Sequence, residues 1–137
     1  TLSSTDQPGH GDFITPNSSG NRDWRSPYND NLWQGLSGTN NPCPIGYRVP
    51  TDAELDAERL SWSSNNSAGA FATPLKLPMA GSRYFNNGSL RNVGTWGSCW
   101  SSTVSGAFSR NLYFNSSVAN MSDNSRADGN SVRCIKD

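Results

Sequence analysis

Four carboxylates lie close together in the chain and have the chemistry of a general acid and base. Asp52, Glu54, Asp56 and Glu58 alternate along one short stretch. The same stretch carries the signals of a helix start, where negative side chains are stabilised by the helix dipole and by solvent. We therefore interpret these carboxylates as a solvated helix face and not as a catalytic pair.

The residues that a nucleophilic active site needs are scarce. His10 is the only histidine, and no serine lies in a sequence that resembles a nucleophile elbow. Cys99 lies outside any C-x-x-C pair, so a redox or nucleophilic role has no local partner. We expect no enzyme. An oxidase-like use of Cys99 is kept as an alternative, and it predicts a reactive thiol.

Three cysteines, Cys43, Cys99 and Cys134, allow one disulfide and leave one thiol. We favour a disulfide between Cys43 and Cys134, with three reduced thiols as the alternative. No pair has the close spacing of a zinc site. Residues 122–125 and 128–130 are rich in oxygen atoms but lack the order of a calcium loop, so we expect no cofactor and leave calcium open.

The composition indicates one domain with a loop-rich fold. Of the 137 residues 33% are hydrophobic and 10% are aromatic, including five Trp, so a few large rings must supply much of the buried area. Eleven basic and eleven acidic residues cancel without a basic run, and we expect no nucleic-acid partner. No apolar run approaches the roughly 20 residues that span a bilayer, so we expect no membrane insertion. The chain begins at Thr1 and is expected to be the C-terminal piece of a longer protein.

A capping box predicts the position of one helix. Thr51 is followed by Glu54, and each side chain can bond an amide of the first helical turn, which predicts a helix near residues 51–62. Helical spacing then predicts a narrow buried stripe at Ala53, Ala57 and Leu60.

Strand patterns complete an α+β fold with short antiparallel strands and long ordered loops. Residues 100–103, 110–114 and 131–136 are predicted strands, and residues 75–80 a short strand or extended run. Residues 1–42, here called the N-terminal segment, lack apolar periodicity. We expect this segment to be an ordered coil held by its aromatic side chains, which are Trp24, Tyr28 and Trp33.

The stretch from residue 96 to 130 mixes aromatic side chains with small polar ones. This mixture is typical of adaptable binding surfaces, where rings give contact area and polar groups give hydrogen bonds. Within residues 110–114, alternation puts Leu112 and Phe114 on one face and Tyr113 on the other. If the first two face the core, Tyr113 is exposed, which favours a binding role.

Several blocks of this sequence match one known family in their order along the chain. They are Cys43–Thr51 (CPIGYRVPT), Leu75–Gly81 (LKLPMAG), Asn87–Gly94 (NGSLRNVG), Trp100–Thr103 (WSST), Leu112–Ser117 (LYFNSS) and Ser131–Asp137 (SVRCIKD). Together they resemble the Fibrobacter succinogenes major paralogous domain from residue 43 to the end of the chain. The N-terminal segment is covered weakly.

The resemblance implies a C-type-lectin-like fold of the kind used by formylglycine-generating enzymes. Their activity is not implied, because no catalytic cysteine pair can be matched here. Members of the family are bacterial surface proteins or phage tail receptor-binding proteins, and some are rewritten by diversity-generating retroelements. The implied location is extracellular, and the implied partner is a host-surface protein or glycan. A homo-oligomer, such as a trimer formed through a preceding part of the protein, is left open.

The family's Asn-rich template form also implies a variable ligand-binding region over residues 95–131. The positions expected to be variable and ligand-binding are Ser98, Cys99, Ala107, Phe108, Asn111, Tyr113, Val118, Ser122, Asp123, Ser125, Asp128 and Asn130. The positions expected to form a fixed core are Trp100, Leu112, Phe114, Met121, Val132 and Ile135. We expect the variable side chains to converge on one solvent-facing patch.

The leading hypothesis is therefore a non-enzymatic binding domain with a diversified surface. The alternative is a structural adhesin or carbohydrate-binding surface domain without diversification. Neighbouring DNA distinguishes the two, because diversification requires a reverse transcriptase gene and a near-repeat of the coding region for residues 95–135.

Overall fold

A three-stranded antiparallel sheet organises the protein, and the predicted α+β class is confirmed. The computed structural model describes residues 1–16 and 22–137. In these residues the elements are β1 (Tyr47–Arg48), α1 (Asp52–Leu60), α2 (Ser67–Ala72), β2 (Ser82–Arg83), β3 (Leu90–Arg91), β4 (Gly97–Ser105), β5 (Phe108–Phe114), β6 (Ala119–Ser125) and β7 (Ile135–Lys136).

The main sheet has the order β4-β5-β6, and its register decides which side chains share a face. Cys99 pairs with Leu112, which pairs with Met121. Directly paired residues of an antiparallel sheet point to the same side. This row therefore lies on one face, and α1 packs there, because Leu55 of α1 belongs to the same buried cluster.

Strand β6 was not predicted from the sequence. Its residues, Ala119–Ser125, are mostly Asn, Ser and Asp, which are depleted in strands. The strand forms because β5 offers a complete ladder of partners along its length. Tertiary pairing thus overrides the weak local preference.

The helix predicted from the capping box is confirmed, and α1 begins at Asp52 with Thr51 as its N-cap. The Thr51 hydroxyl accepts from the Glu54 amide at 3.3 Å, and the Glu54 carboxylate accepts from the Thr51 amide at 2.8 Å. Glu54 also accepts two hydrogen bonds from the Arg48 guanidinium, at 2.7 and 2.8 Å. The Arg48 bonds come first among the causes that lower the pKa of Glu54 to about 2.

The predicted buried stripe of α1 is wrong. Leu60 is 69% exposed and the two alanines, Ala53 and Ala57, are exposed, whereas Leu55 is buried. Leu55 and the following Trp62 carry far more apolar area than alanine, so their burial stabilises the packing of the helix more. Side-chain size, and not spacing alone, selects the buried face.

The core lies between α1 and the sheet. Its buried members are Leu55, Trp62, Ala70, Leu77, Cys99, Leu112, Phe114 and Ala119. The ring of Trp62 meets that of Phe114 edge to face at 5.8 Å between centroids. Gly97 is required beside this pair, because a Cβ there would lie 2.0 Å from the Phe114 ring.

Residues near the C-terminus contact the middle of the chain at two places. β1 pairs antiparallel with β7, and a disulfide joins Cys43 to Cys134, the pairing favoured from the sequence. The predicted strand 131–136 is shorter than expected, since only Ile135–Lys136 are β7. Residues 75–80 form no strand, and Lys76 has a positive φ of 49° there.

The N-terminal segment runs along the sheet without a named helix or strand in its described part, and its residues 17–21 lie outside that part. It is joined to the sheet by hydrogen bonds. Gln34 donates to the Ser102 carbonyl at 2.6 Å, and Ala127 donates to the Arg22 carbonyl at 3.0 Å. Among the described residues, no helix has the length and apolar character that crossing a membrane requires.

Replacing Glu54 with Gln tests the contact between α1 and β1. We expect Glu54→Gln to lower the free energy of unfolding at pH 7 by about 1–2 kcal/mol, since a cap bond and charge-assisted bonds weaken. A lowered carboxyl pKa stabilises the fold above the usual value of 4.5, and this contribution is lost as the pH falls towards 2. The difference between the variant and the parent protein should therefore shrink over that range in urea denaturation.

Glu58→Gln is the matched control for this measurement. Glu58 lies in the same helix and accepts from the Trp62 indole N–H at 3.2 Å, a bond that Gln can keep. Equal losses in the two variants, or a difference that does not change with pH, would contradict the role given to Glu54.

Candidate functional site

The predicted binding positions in the main sheet lie on both of its faces. The face that packs on α1 is called the helix face, and the opposite one the outer face. Cys99 lies on the helix face in the core. Asn111 and Tyr113 alternate with Leu112 and lie on the outer face, where they pair with Trp100 and Ser98.

Five of the predicted binding positions are buried, with exposures between 2% and 5%, so the expectation that they are exposed is wrong for them. They are Ser98, Cys99, Asn111, Ser125 and Asp128. These side chains are buried because they form hydrogen bonds or pack inside the fold. The Asn111 amide donates to the Ser98 hydroxyl at 2.7 Å in the interior, and Asp128 accepts from Phe85 and Arg91 at 2.9 and 3.0 Å.

The more exposed predicted positions do not form one patch. Ala107 and Phe108 lie at the β4–β5 turn, whereas Val118 lies beyond the other end of β5, about 20 Å away along the strand. Asp123 bonds Arg110 at 3.0 Å, and Arg110 also bonds Asp52 of α1, which places Asp123 on the helix side. The structure therefore does not contain the single exposed patch that the sequence predicts.

Three further predicted positions, Tyr113, Ser122 and Asn130, are half-buried. The exposure expected for Tyr113 is only partial. Its ring packs edge to face on Trp96, with 5.3 Å between centroids, and its hydroxyl accepts from Asn115 at 2.9 Å. Tyr113 therefore contributes to packing on the outer face. Ser122 lies in the same row as Asn111.

A cavity of about 740 Å³ lies at the β4–β5 turn end of the outer face. Its size falls in the range of small-molecule sites, which is about 300–1,000 Å³. The N-terminal segment forms one wall, and β4 with residues 126–130 forms the other. The aromatic and aliphatic residues that line it are Phe13, Ile14, Trp24, Leu32, Trp33, Trp100, Val104 and Ala127.

Arg126 joins the two walls of the cavity. Its guanidinium lies 2.6 Å from the Asp30 carboxylate and 3.6 Å from that of Asp23, both in the N-terminal segment. The same group donates to the Gly106 carbonyl at 2.9 Å and lies over the Tyr28 ring at 5.2 Å. Only 8% of the Arg126 side chain is exposed, whereas 49% of the Asp30 side chain is.

Two buried carboxylates lie in the cavity wall. Burial is the largest cause that raises the pKa of Asp23, and the Arg25 and Trp24 amides and two arginines oppose it. Burial likewise raises the pKa of Asp128, against the Phe85 amide and the charge of Arg91. Each carboxylate has an arginine beside it, which compensates its charge.

Asn130 also contributes to the cavity wall, and its side-chain amide is unusual. Both the amide nitrogen and the amide oxygen are buried, and neither has a hydrogen-bond partner among the described residues. An amide group of this kind normally has partners, and its burial without them costs free energy. Asn130 and Asp128 are the predicted binding positions that line the cavity.

The free thiol of Cys99 does not line this cavity. It is buried in the core, and burial raises its pKa to about 11. At neutral pH the thiol is therefore protonated and a poor nucleophile. Within residues 1–16 and 22–137, no cluster of His, Cys, Asp and Glu is arranged to hold a metal ion.

Sequence reasoning missed the half of the cavity that the N-terminal segment supplies. The sequence predicts that Trp24 and Trp33 hold the N-terminal segment, but nothing in their spacing indicates that they line a cavity beside β4. No motif in the sequence marks Arg126. The available signal was an arginine directly after a polar strand, together with acidic residues at positions 23 and 30.

Comparison of this chain with family models, with curated proteins and with solved structures finds no match in any of the three. The family resemblance of residues 43–137 therefore stays a prediction.

Counting reactive thiols tests the environment of the cysteines. At pH 8 the folded protein should not react with a maleimide over minutes, because Cys99 is buried with a raised pKa and the other two are joined. Mass spectrometry should show one label after unfolding in urea and three after unfolding with a reductant. Rapid labelling of the folded protein would contradict the core position of Cys99 and favour the oxidase-like alternative.

Proposed function

We propose that this chain is a ligand-binding domain and that its ligand binds in the cavity between the N-terminal segment and β4. The observation that carries the proposal is the cavity wall itself, which combines indole rings with buried polar groups. Binding sites are typically concave and mostly apolar, with a few polar groups that orient the ligand. Catalysis is not proposed, since the free thiol is protonated and lies in the core.

We further propose a C-type-lectin-like fold for the domain. Three features support it: the pairing of β1 with β7 near the chain's end, the disulfide beside that pair, and long ordered loops next to an antiparallel sheet. The order of the sequence blocks from residue 43 onwards supports it as well. The fold by itself would not define the ligand.

The proposed setting is extracellular, on a phage tail or a bacterial surface, with a host-surface protein or glycan as partner. A disulfide that closes a separation of 91 residues supports an oxidising compartment. Diversification by a retroelement belongs to the same proposal. In that case the rewritten positions would be Asp128 and Asn130 in the cavity wall, together with the residues of the β4–β5 turn beside the cavity.

A non-diversified adhesin remains the second candidate function, and the burial of five predicted variable positions favours it. Residues that bond inside the fold tolerate rewriting poorly. The presence or absence of a reverse transcriptase gene with a near-repeat of this coding region decides between the two.

Two valines offer a matched test of where the ligand binds. Val104 lines the cavity and is 39% exposed, whereas Val118 is 38% exposed at the far end of the sheet. We expect Val104→Lys to weaken binding to cells about tenfold or more, because a long charged side chain enters the cavity mouth. Val118→Lys should leave binding unchanged.

The measurement is binding of the fluorescently labelled chain to a panel of intact bacterial cells, with melting temperatures recorded for both variants. A loss for Val118→Lys alone would move the site to the predicted variable surface and refute the cavity. Binding to no cell of the panel, or equal binding by all three proteins, would also count against the proposal.

A further inference from the structure

Several exposed apolar side chains follow one another at the C-terminal end of α2. Phe71 is 57% exposed and Leu75 is 37% exposed, and Ala72 and Pro74 are exposed as well. Single apolar side chains on a surface need no explanation, whereas a group of neighbours often marks a contact with another molecule. We call these four residues, which lie between positions 71 and 75, the α2 patch.

The packing of α2 leaves its largest side chain outside the core. The buried residues of this helix are Gly69 and Ala70. A Cβ at Gly69 would lie 1.8 Å from the Ser64 carbonyl oxygen, so α2 packs on its smallest residues. Burial of a phenylalanine contributes more to folding than burial of an alanine. Since Phe71 is nevertheless mostly in solvent, folding gives no reason for an apolar ring at this position.

Two exposed cations adjoin the α2 patch. The Lys76 Nζ lies 5.7 Å from the centre of the Phe71 ring, and the Arg133 guanidinium donates to the Leu75 carbonyl at 2.8 Å. Neither cation takes part in an ion pair among the described residues, whereas six arginines elsewhere each pair with an aspartate or glutamate. The charges of Lys76 and Arg133 are therefore available to an anionic partner.

The distribution of acidic residues along the chain is an independent observation. After Glu58 no Asp or Glu occurs until Asp123, so nearly half of the sequence carries no carboxylate. The α2 patch and Lys76 lie inside this stretch. The net charge of zero thus hides a local excess of positive charge, and a partner with negative charge would complement it.

The same charges argue against two other occupants of the α2 patch. A second copy of the chain that used the same patch would bring Lys76 and Arg133 of both copies together, and like charges in an interface cost free energy. An anionic lipid surface is typically bound by clusters of about 4–8 cations, and only these two adjoin the patch. A protein that presents carboxylates beside apolar side chains would pair with both cations and cover the Phe71 ring.

We propose that the α2 patch is a docking surface for a partner protein whose contact segment carries carboxylates next to apolar side chains. Phe71 would be the main apolar contact, because aromatic side chains are enriched at the centre of interfaces and a few residues supply most of the binding energy. Lys76 and Arg133 would orient the segment through its carboxylates.

The docking surface goes beyond the proposed function, because it is separate from the cavity. Ser67 of α2 donates to the Asn115 carbonyl at the β5–β6 turn, at 2.7 Å, whereas the cavity lies at the β4–β5 turn end of the sheet. No residue of the α2 patch lines the cavity. A partner protein bound at α2 would leave the cavity open to its ligand.

The test selects binders from a displayed library of random short peptides. The library is selected on the parent chain and then depleted on the double variant Phe71→Ser, Lys76→Glu, so that the remaining peptides need the α2 patch. We expect these peptides to carry about two or more carboxylates beside large apolar residues, and to bind with Kd on the order of 0.1 mM, as a small interface allows.

Single variants then separate the two kinds of contact in fluorescence anisotropy. Phe71→Ser and Lys76→Glu should each weaken binding of the selected peptides about tenfold or more, and Lys76→Arg should keep it. Added salt should weaken it as well. Phe108→Ser is the matched control, because Phe108 is 38% exposed at the β4–β5 turn, and it should bind the peptides as the parent does. Melting temperatures should stay close to that of the parent, since the altered side chains are exposed.

Three results would overturn the docking surface. The first is a selection in which no peptide depends on the α2 patch. The second is a set of patch-dependent peptides without an excess of carboxylates, or with equal affinity for Lys76→Glu and the parent. The third is binding of the parent, but not of Phe71→Ser, to phosphatidylglycerol vesicles in the absence of patch-dependent peptides, which would make the occupant a lipid surface.

Discussion

The ion pairs of one buried arginine hold the two halves of the cavity together. Arg126 follows the last strand of the main sheet, and its guanidinium cannot lose its charge in a protein. A charge in that position requires partners, because desolvation without them is costly. Asp23 and Asp30 provide them from the N-terminal segment, and the carbonyl groups of Gly106 and Phe108 complete the set. The segment therefore has to lie across this end of the sheet, and the cavity forms between them.

This arrangement separates the part of the fold that provides stability from the part available for binding. The helix face of the sheet is filled by the core, and α1 is joined to it by the ion pair of Asp52 with Arg110 of β5. Ser131 pairs with the free edge of β4, since it bonds backbone groups of Ser98 and Trp100. The cavity lies at the end of the outer face near the β4–β5 turn. A ligand there would contact loops and strand ends, where substitutions disturb the core least.

The elements with strong local signals could be predicted from the sequence. The capping box located α1, and alternation gave the correct faces of β5, because both signals depend on residues close together in the chain. β6 could not be found in this way, since its polar residues are strands only through their partner. For the site, the sequence indicated the region and two lining residues, Asp128 and Asn130. It could not show that Cys99 faces the core or that residues distant in the chain form the opposite wall.

The five tryptophans allow one direct measurement of where the ligand binds. In ¹⁵N-labelled protein each indole N–H gives its own signal, which can be followed while soluble envelope material from a bound cell is added. We expect shifts for Trp24, Trp33 and Trp100, which line the cavity, and none for Trp62 in the core or Trp96 beside Tyr113. A shift of the Trp96 signal with the three cavity signals unchanged would contradict binding of the ligand in the cavity.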